Sequence, residues 1–396
     1  MSSTMSSWRI TNVRIVTGQG IVQGSLTVTN GRIAGVYSMG QHEEKTAHQD
    51  GLDTIDGAGG WLLPGFIDVH VHGGYGGDFM DANADAYDAI TRFHALHGTT
   101  TMLATTVTAP KDAIERVLEA AAGYRERPGA GARLAGVHLE GPFISPRWPG
   151  AQNPDHIVPP RPDWLEAWVA RYPGLIRMLT LAPEQPGAPE LISRLSDAGI
   201  VAACGHTDAD YAAIKEAVGA GLSHAVHTYN AMRGLHHREP GTVGAVLTCD
   251  ELSAEIIADG HHAHPAAVKL LLRAKPADKA LLITDAISAA GLGDGEYELG
   301  GLKVVVSHGV ARLAEGGSLA GSTLTMLEAF RNAMAFGGLS PVEASRFASA
   351  NPASLIGLSE ETGSIAVGKA ADVVLLTGSF DHVRTWVSGK AVQPIS

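Results

Sequence analysis

Apolar residues along this chain fall in short runs that repeatedly give way to a loop. Eight such runs follow one another, at 65–72, 98–105, 133–142, 176–184, 199–206, 222–230, 253–260 and 280–286. Each reads as a strand running into a loop. Between them, 84–97, 110–123, 188–198 and 209–218 carry apolar residues at spacings of three and four, the period of an amphipathic helix. Strand, helix and strand in alternation, with short Gly-rich joins, imply right-handed parallel crossovers. The expected fold is therefore α/β, a (β/α)8 TIM-like barrel.

The two ends of the chain follow a different pattern. Residues 9–16 and 24–28 alternate apolar and polar, and Asn30-Gly31 is a hairpin signal because both residues tolerate positive φ. Residues 41–53 are polar and read as loop, while 372–376 and 383–387 read as strands. A small β-sandwich domain built from both termini, 1–62 with 357–396, is expected to flank a catalytic barrel spanning 63–356. The Pro-rich stretch 143–163 is the longest irregular segment, and a long loop at a barrel rim usually serves function.

Composition narrows the class. A length of 396 residues suits a barrel plus something smaller, and 45% hydrophobic content supplies a large core. The formal net charge of −12 argues against a nucleic-acid partner. Two cysteines make no disulfide framework, which suits a reducing cytoplasm. Neither a leader-like apolar segment nor a membrane-spanning run is evident.

Several of the runs end in metal-ligand residue types. His70 and His72 share one face of the first strand, with Asp68 below them. Glu140 follows His138 at the same spacing, and a buried carboxylate needs a counter-charge, which a metal or a barrel arginine could supply. Strand four has no lysine to bridge two ions, so Glu140 is the natural substitute. His206 and His227 are further candidates for neutral imidazole ligands at the ends of strands five and six. Cys204 reads as small buried filler rather than a soft ligand. His224 has the opposite parity to His227 and is expected to face a helix. Asp285 either caps the segment that follows it or carries protons beside a metal-activated water.

At these residues the chain resembles the amidohydrolase superfamily and, more narrowly, the N-acetylglucosamine-6-phosphate deacetylase family. The resemblance rests on ordered runs: 64–73, 138–143, 205–207, 227–232, 238–241, 257–262, 284–286 and 319–322. A general superfamily signature follows at 363–372. It implies metal-dependent hydrolysis of the acetamide of N-acetyl-D-glucosamine 6-phosphate to D-glucosamine 6-phosphate and acetate. It implies Glu140, His206 and His227 as main metal ligands, His70 and His72 at a second position, and Asp285 both at the metal and as catalytic acid/base. It further implies substrate contacts from Ala151, Asn230, Ala231, Arg238, His262, Leu319, Ala320 and Gly321, with Arg238 on the phosphate. One or two divalent ions per chain are expected, Zn2+ first and Fe2+ as the alternative, in a cytoplasmic homodimer acting on a small amino-sugar phosphate. Many relatives have histidine where Gln152 stands, and Gln can donate a hydrogen bond but cannot carry a proton. An N-acetylgalactosamine 6-phosphate or a cyclic amide remains an alternative substrate.

Overall fold

A computed structural model describes residues 7–40, 52–127, 129 and 131–394. Most of the loop expected over 41–53 lies outside the described residues, and Asp53 already belongs to a strand. The N-terminal part forms β1 (Trp8–Thr17), β2 (Gly20–Thr29), β3 (Arg32–Ser38) and β4 (Asp53–Pro64). Asn30 and Gly31 take φ of 54° and 75° and turn β2 into β3, as their residue types foretell.

Next come β5 (Phe66–Asp68) and a two-rung hairpin, β6 (Gly73–Gly74) with β7 (Gly77–Asp78). The series continues with β8 (Thr99–Thr105), β9 (Arg133–Glu140), β10 (Ile176–Leu181) and β11 (Val201–Cys204). It ends with β12 (His224–Ala225), β13 (Ser253–Ile257) and β14 (Ala280–Ile283). All eight runs thus contain a strand, and β5 and β8–β14 form one sheet in sequence order with every adjacent pair parallel. Helices Ala84–Ala95, Lys111–Arg125, Ala188–Asp197 and Tyr211–Gly219 lie where the three-and-four spacing predicts them.

The strands are shorter than their apolar runs, and the reason bears on function. His206, His227 and Asp285 have φ of 47°, 28° and 53°, which takes the chain out of the ladder just where the ligand-type residues begin. The ring then closes beyond the strand ends. Asp285 N–H donates to the His70 carbonyl at 2.9 Å, and His72 N–H donates to the Ala286 carbonyl at 2.8 Å. Thr284 Oγ1 donates to Asp68 Oδ2 at 2.5 Å. The first and last strands are joined through the segments that carry the site.

Two features depart from the sequence reading. A three-stranded antiparallel sheet, β15 (Gly295–Leu299), β16 (Leu302–Ser307) and β17 (Val310–Leu313), follows the last barrel strand. Its apolar face packs on Val107, Ile287 and Ala320. The terminal strands, completed by β18 (Val373–Leu376), β19 (His382–Val387) and β20 (Lys390–Ala391), share one seven-stranded ladder in the order β20-β19-β18-β4-β1-β2-β3. Bulges at Ile10/Val13 and Thr27/Val28 bend it. Trp8 of β1 and Trp386 of β19 have two strands between them in that order, yet their ring centroids lie 4.9 Å apart. The ladder therefore curls over its own core of Ile10, Ile15, Leu26, Val28, Leu62 and Val373. No helix among the described residues is long and apolar enough to cross a membrane.

Candidate active site and metal centre

Glu140 ends β9, and its carboxylate is buried among four imidazoles. Oε1 lies 3.2 Å from His70 Nε2, 3.3 Å from His206 Nε2 and 3.1 Å from His227 Nε2, while Oε2 lies 3.4 Å from His72 Nε2. His70, His72 and Glu140 form one triad whose ligand atoms lie within 4.8 Å of one another, and Glu140, His206 and His227 form a second. Asp285 Oδ1 joins at 3.1 Å from His72 Nε2 and 3.7 Å from His70 Nε2.

The donor set fits divalent cations. His206 and His227 Nε2 face each other at 3.1 Å, and buried His70 Nε2 has no hydrogen-bond partner. Nitrogens crowded around a carboxylate in a dry site are what a cation with N and O ligands requires. The other nitrogens of two ligands are already committed. His206 Nδ1–H donates to the Trp148 carbonyl at 3.0 Å, and His70 Nδ1–H donates to Glu255 Oε2 at 2.9 Å. Each bond selects the tautomer that leaves Nε2 free for metal.

Glu255, on β13, was not anticipated. Fully buried, it accepts from His70 Nδ1, from the His227 backbone N–H at 3.0 Å and from His224 Nε2 at 2.9 Å. One carboxylate thus orients a ligand from each triad. His224, expected to face a helix, instead sits in this network, with Nδ1 2.7 Å from Ser253 Oγ. The parity argument fails because β12 is two residues long and the chain turns at His227. The signal for Glu255 was a carboxylate set between apolar residues in the middle of β13. Glu184 also buttresses the site, accepting from Thr207 Oγ1 at 2.5 Å and Asp208 N at 2.7 Å in the turn after His206.

Charge follows from this crowding. Burial alone would push His70 down, but Glu255, then Glu140 and Asp285, hold it well above its ordinary value. Burial likewise opposes protonation of His72, yet hydrogen bonds to Asp285 and Glu140 raise it to about 9. Burial would raise Glu140 and Asp285, but the surrounding imidazoles, His70 foremost, hold both below the usual carboxylate range. These shifts favour ionised Glu140 and Asp285 paired with protons on His70 and His72 wherever no cation takes their place. Burial also raises Cys204 to about 12, as expected for buried filler; it is a member of neither triad.

The cluster floors a cavity of about 490 Å3. Of the substrate contacts implied by the resemblance, Ala151, Asn230, Ala231, His262, Leu319 and Gly321 line it. Ala320 lies behind the lining, buried in the cluster with Ile287 and Val304. Arg238 is not among the lining residues. It is exposed on the loop after β12, with Nη1 2.8 Å from His237 Nε2. A cation that the sequence reading missed, Arg147, does line the cavity and pairs with Asp208 Oδ2 at 2.5 Å. His262 is held by Asp259, which accepts from its Nδ1 at 2.6 Å. A Cβ at Gly321, where φ is 57°, would collide with Ile287, so only glycine lets that segment approach Asp285. Gln152 is buried beside the carboxylate. Its Nε2 donates to Glu140 Oε2 at 2.5 Å, and its Oε1 accepts from Thr108 N at 2.6 Å.

Residues 61–392 match the model of the amidohydrolase family. The chain belongs to that family. It is 40% identical over 385 residues to the N-acetylglucosamine-6-phosphate deacetylase of Bacillus subtilis, covering 96% of each chain. It is 41% identical over 329 residues to the N-acetylgalactosamine-6-phosphate deacetylase of Escherichia coli O157:H7, covering 83% of this chain and 87% of the relative. Among solved structures it superposes on the N-acetyl-D-glucosamine-6-phosphate deacetylase of Mycobacterium smegmatis with a TM-score of 0.90 at 34% identity, covering 98% of this chain and 99% of the other.

Metal must displace the protons on His70 and His72, so uptake by the stripped protein releases protons. Because both pKa values are raised, affinity for Zn2+ should weaken as pH falls from about 9, the His72 value. Competition with a chelator of known pH dependence at pH 6 and pH 8 measures this, and equal affinities would refute it. Glu255→Gln keeps the shape but removes the charge behind His70. It should weaken metal binding by about 10- to 100-fold, the usual effect of losing an outer-shell carboxylate. Unchanged affinity in the same competition assay would show that Glu255 is only structural.

Proposed function

We propose that this protein hydrolyses the acetamide of N-acetyl-D-glucosamine 6-phosphate to D-glucosamine 6-phosphate and acetate. The observation that carries this reading is Glu140 shared between two histidine pairs, with Asp285 beside it on the floor of a monosaccharide-sized cavity. Glu140, His206 and His227 would hold the main divalent ion, and His70 with His72 would complete a second position alongside Asp285. Zinc suits this nitrogen and oxygen donor set, with ferrous iron the next fit. When bound, a divalent cation supplies Lewis acidity toward water and toward an amide carbonyl.

The chain's own residues do the rest. Asp285, ionised at neutral pH, accepts the proton of the attacking water and returns it to the sugar nitrogen as the amide breaks. His262, oriented by Asp259, steadies the developing charge on the acetyl oxygen. Ala151 and the Leu319–Gly321 segment shape the sugar pocket. Asn230 and Ala231 meet the phosphate, and Arg238 reaches it from the rim, from the same chain or from a second copy in a homodimer. Arg147 adds positive charge at the cavity itself. Both cysteines are free and buried, which agrees with a reducing cytoplasm.

The galactosamine relative favours a second reading, in which the epimeric N-acetylgalactosamine 6-phosphate is the better substrate. Turnover of the two epimers side by side separates them.

The direct test is acetate release from N-acetyl-D-glucosamine 6-phosphate. Release should occur with metal and fall to background after chelation, and chelator-resistant turnover by metal-free protein would overturn the reading. Asp285→Asn should lower kcat by about 10²–10⁴ with substrate binding retained; activity within a few-fold of the parent would remove Asp285 from the proton-shuttle role. Arg238→Ala should raise KM for the phosphorylated sugar by roughly ten- to a hundred-fold while barely changing the poor turnover of the unphosphorylated one. Equal losses on both sugars would make Arg238 a surface residue without a phosphate contact.

A further inference from the structure

At the opposite end of the barrel, a second cavity of about 430 Å3 lies between the start of β9, the helix pair Ala84–Ala95 and Lys111–Arg125, and strands β19 and β20. It begins at Arg133, the first residue of β9, whereas Glu140 ends that strand. Seven residues of extended chain separate the two by roughly 23 Å, at about 3.3 Å per residue. The cavity is therefore independent of the metal centre.

Its walls carry Arg92, Arg125, Arg127, Arg133 and Lys390, and no acidic residue is among the described residues that line it. Among the described residues one of the five has an ion-pair partner, Arg133 with Glu361. Arg92 Nε and Arg133 Nε are both buried with no hydrogen-bond partner among the described residues. The crowding is tight enough that burial, then the neighbouring Arg177 and Arg133, lowers the Arg125 guanidinium from its usual range. The placement is enforced by packing. A Cβ at Gly131 would collide with the backbone of Thr91 and Arg92, so glycine there lets the segment before β9 press against the helix that carries Arg92. Ala132 N–H fixes the contact by donating to the Thr91 carbonyl at 2.9 Å.

Like charges gathered in a concave site repel one another, and buried N–H donors without acceptors cost stability. An oxyanion answers both demands, and guanidinium groups match the geometry of phosphate in particular. This concentration of positive charge stands out in a chain whose formal net charge is −12. We propose that this cavity is a second anion site, taking a phosphate group, free or carried on a small metabolite, between the base of the barrel and the terminal sheet.

The test uses the metal-loaded, full-length protein, with inorganic phosphate and, separately, glycerol 3-phosphate as probes in isothermal titration. The parent is compared with Arg92→Gln/Arg125→Gln, a variant remote from the catalytic cavity. Deacetylase kcat and KM in phosphate-free buffer should be unchanged, which also shows that the variant folds. The parent should show a phosphate-binding event that the variant lacks or makes at least about ten-fold weaker. A stronger response to glycerol 3-phosphate would identify a phosphate ester as the better ligand, and a stronger response to inorganic phosphate the free ion. Identical titrations of parent and variant would overturn the proposal. So would loss of the event in chloride at matched ionic strength, which would mark a counter-ion atmosphere only. If the double variant does not fold, Lys390→Gln on the exposed β20 provides the same comparison, with a weakened event expected and an unchanged one contradicting the site.

Discussion

Burying the Glu140 carboxylate sets the terms for everything around it. An isolated carboxylate in a dry interior costs several kcal/mol even after relaxation, and the cost is removed only by opposite charge at close range. Among the described residues no lysine or arginine pairs with Glu140. Four imidazoles surround it instead, and they can carry protons or yield them to a cation. That choice fits a group that could hold a metal ion better than it fits a structural salt bridge. It also explains the second layer, since imidazoles that must present Nε2 inward need acceptors behind them. Glu255 and the Trp148 carbonyl fill that place.

The same constraint shapes the backbone. A strand delivers alternate side chains to one face, but the site draws groups from five strand ends toward one point. His206, His227 and Asp285 reach it by leaving the ladder in the left-handed region, at a cost of about 1–2 kcal/mol each for non-glycine residues. Hydrogen bonds offset that strain. Ser145 N–H donates to the His206 carbonyl, Glu255 accepts from His227 N–H, and Asp285 bonds to His70 and Ser322 through its backbone. Barrel closure and site assembly are therefore one event. The bonds joining the first and last strands run through residues 68–73 and 284–286.

What could be read from the sequence follows from what local chemistry encodes. The barrel was legible because eight apolar runs alternate with helical spacing, and the ligand types were legible because His70, His72, Glu140, His206, His227 and Asp285 sit at the ends of those runs. His70 and His72 converge on Glu140 although β5 ends at Asp68, whereas for His224 parity misled because the chain leaves β12 before it reaches His227. Glu255 escaped notice since its partners lie 28 to 185 residues away. The sheet Gly295–Leu313 was missed although Gly300 and Gly301, both at positive φ, mark its turn. Arg238 stands on the loop the motif names, exposed beside His237 and outside the cavity lining. For Gln152 the residue type showed only that it can donate a hydrogen bond and carries no proton; its neighbours show that the bond goes to Glu140, with Thr108 N–H donating to its Oε1.

The central claim is that Glu140 is the ligand common to two metal positions. Elemental analysis of protein reconstituted with excess Zn2+ and then desalted tests it most directly, comparing the parent with His70→Ala/His72→Ala and with Glu140→Ala. The shared-ligand account predicts up to about two ions per chain in the parent, about one in the double histidine variant, and loss of both when Glu140 is removed, because each triad then keeps only its histidine pair. Full occupancy in Glu140→Ala, with the protein folded, would contradict it.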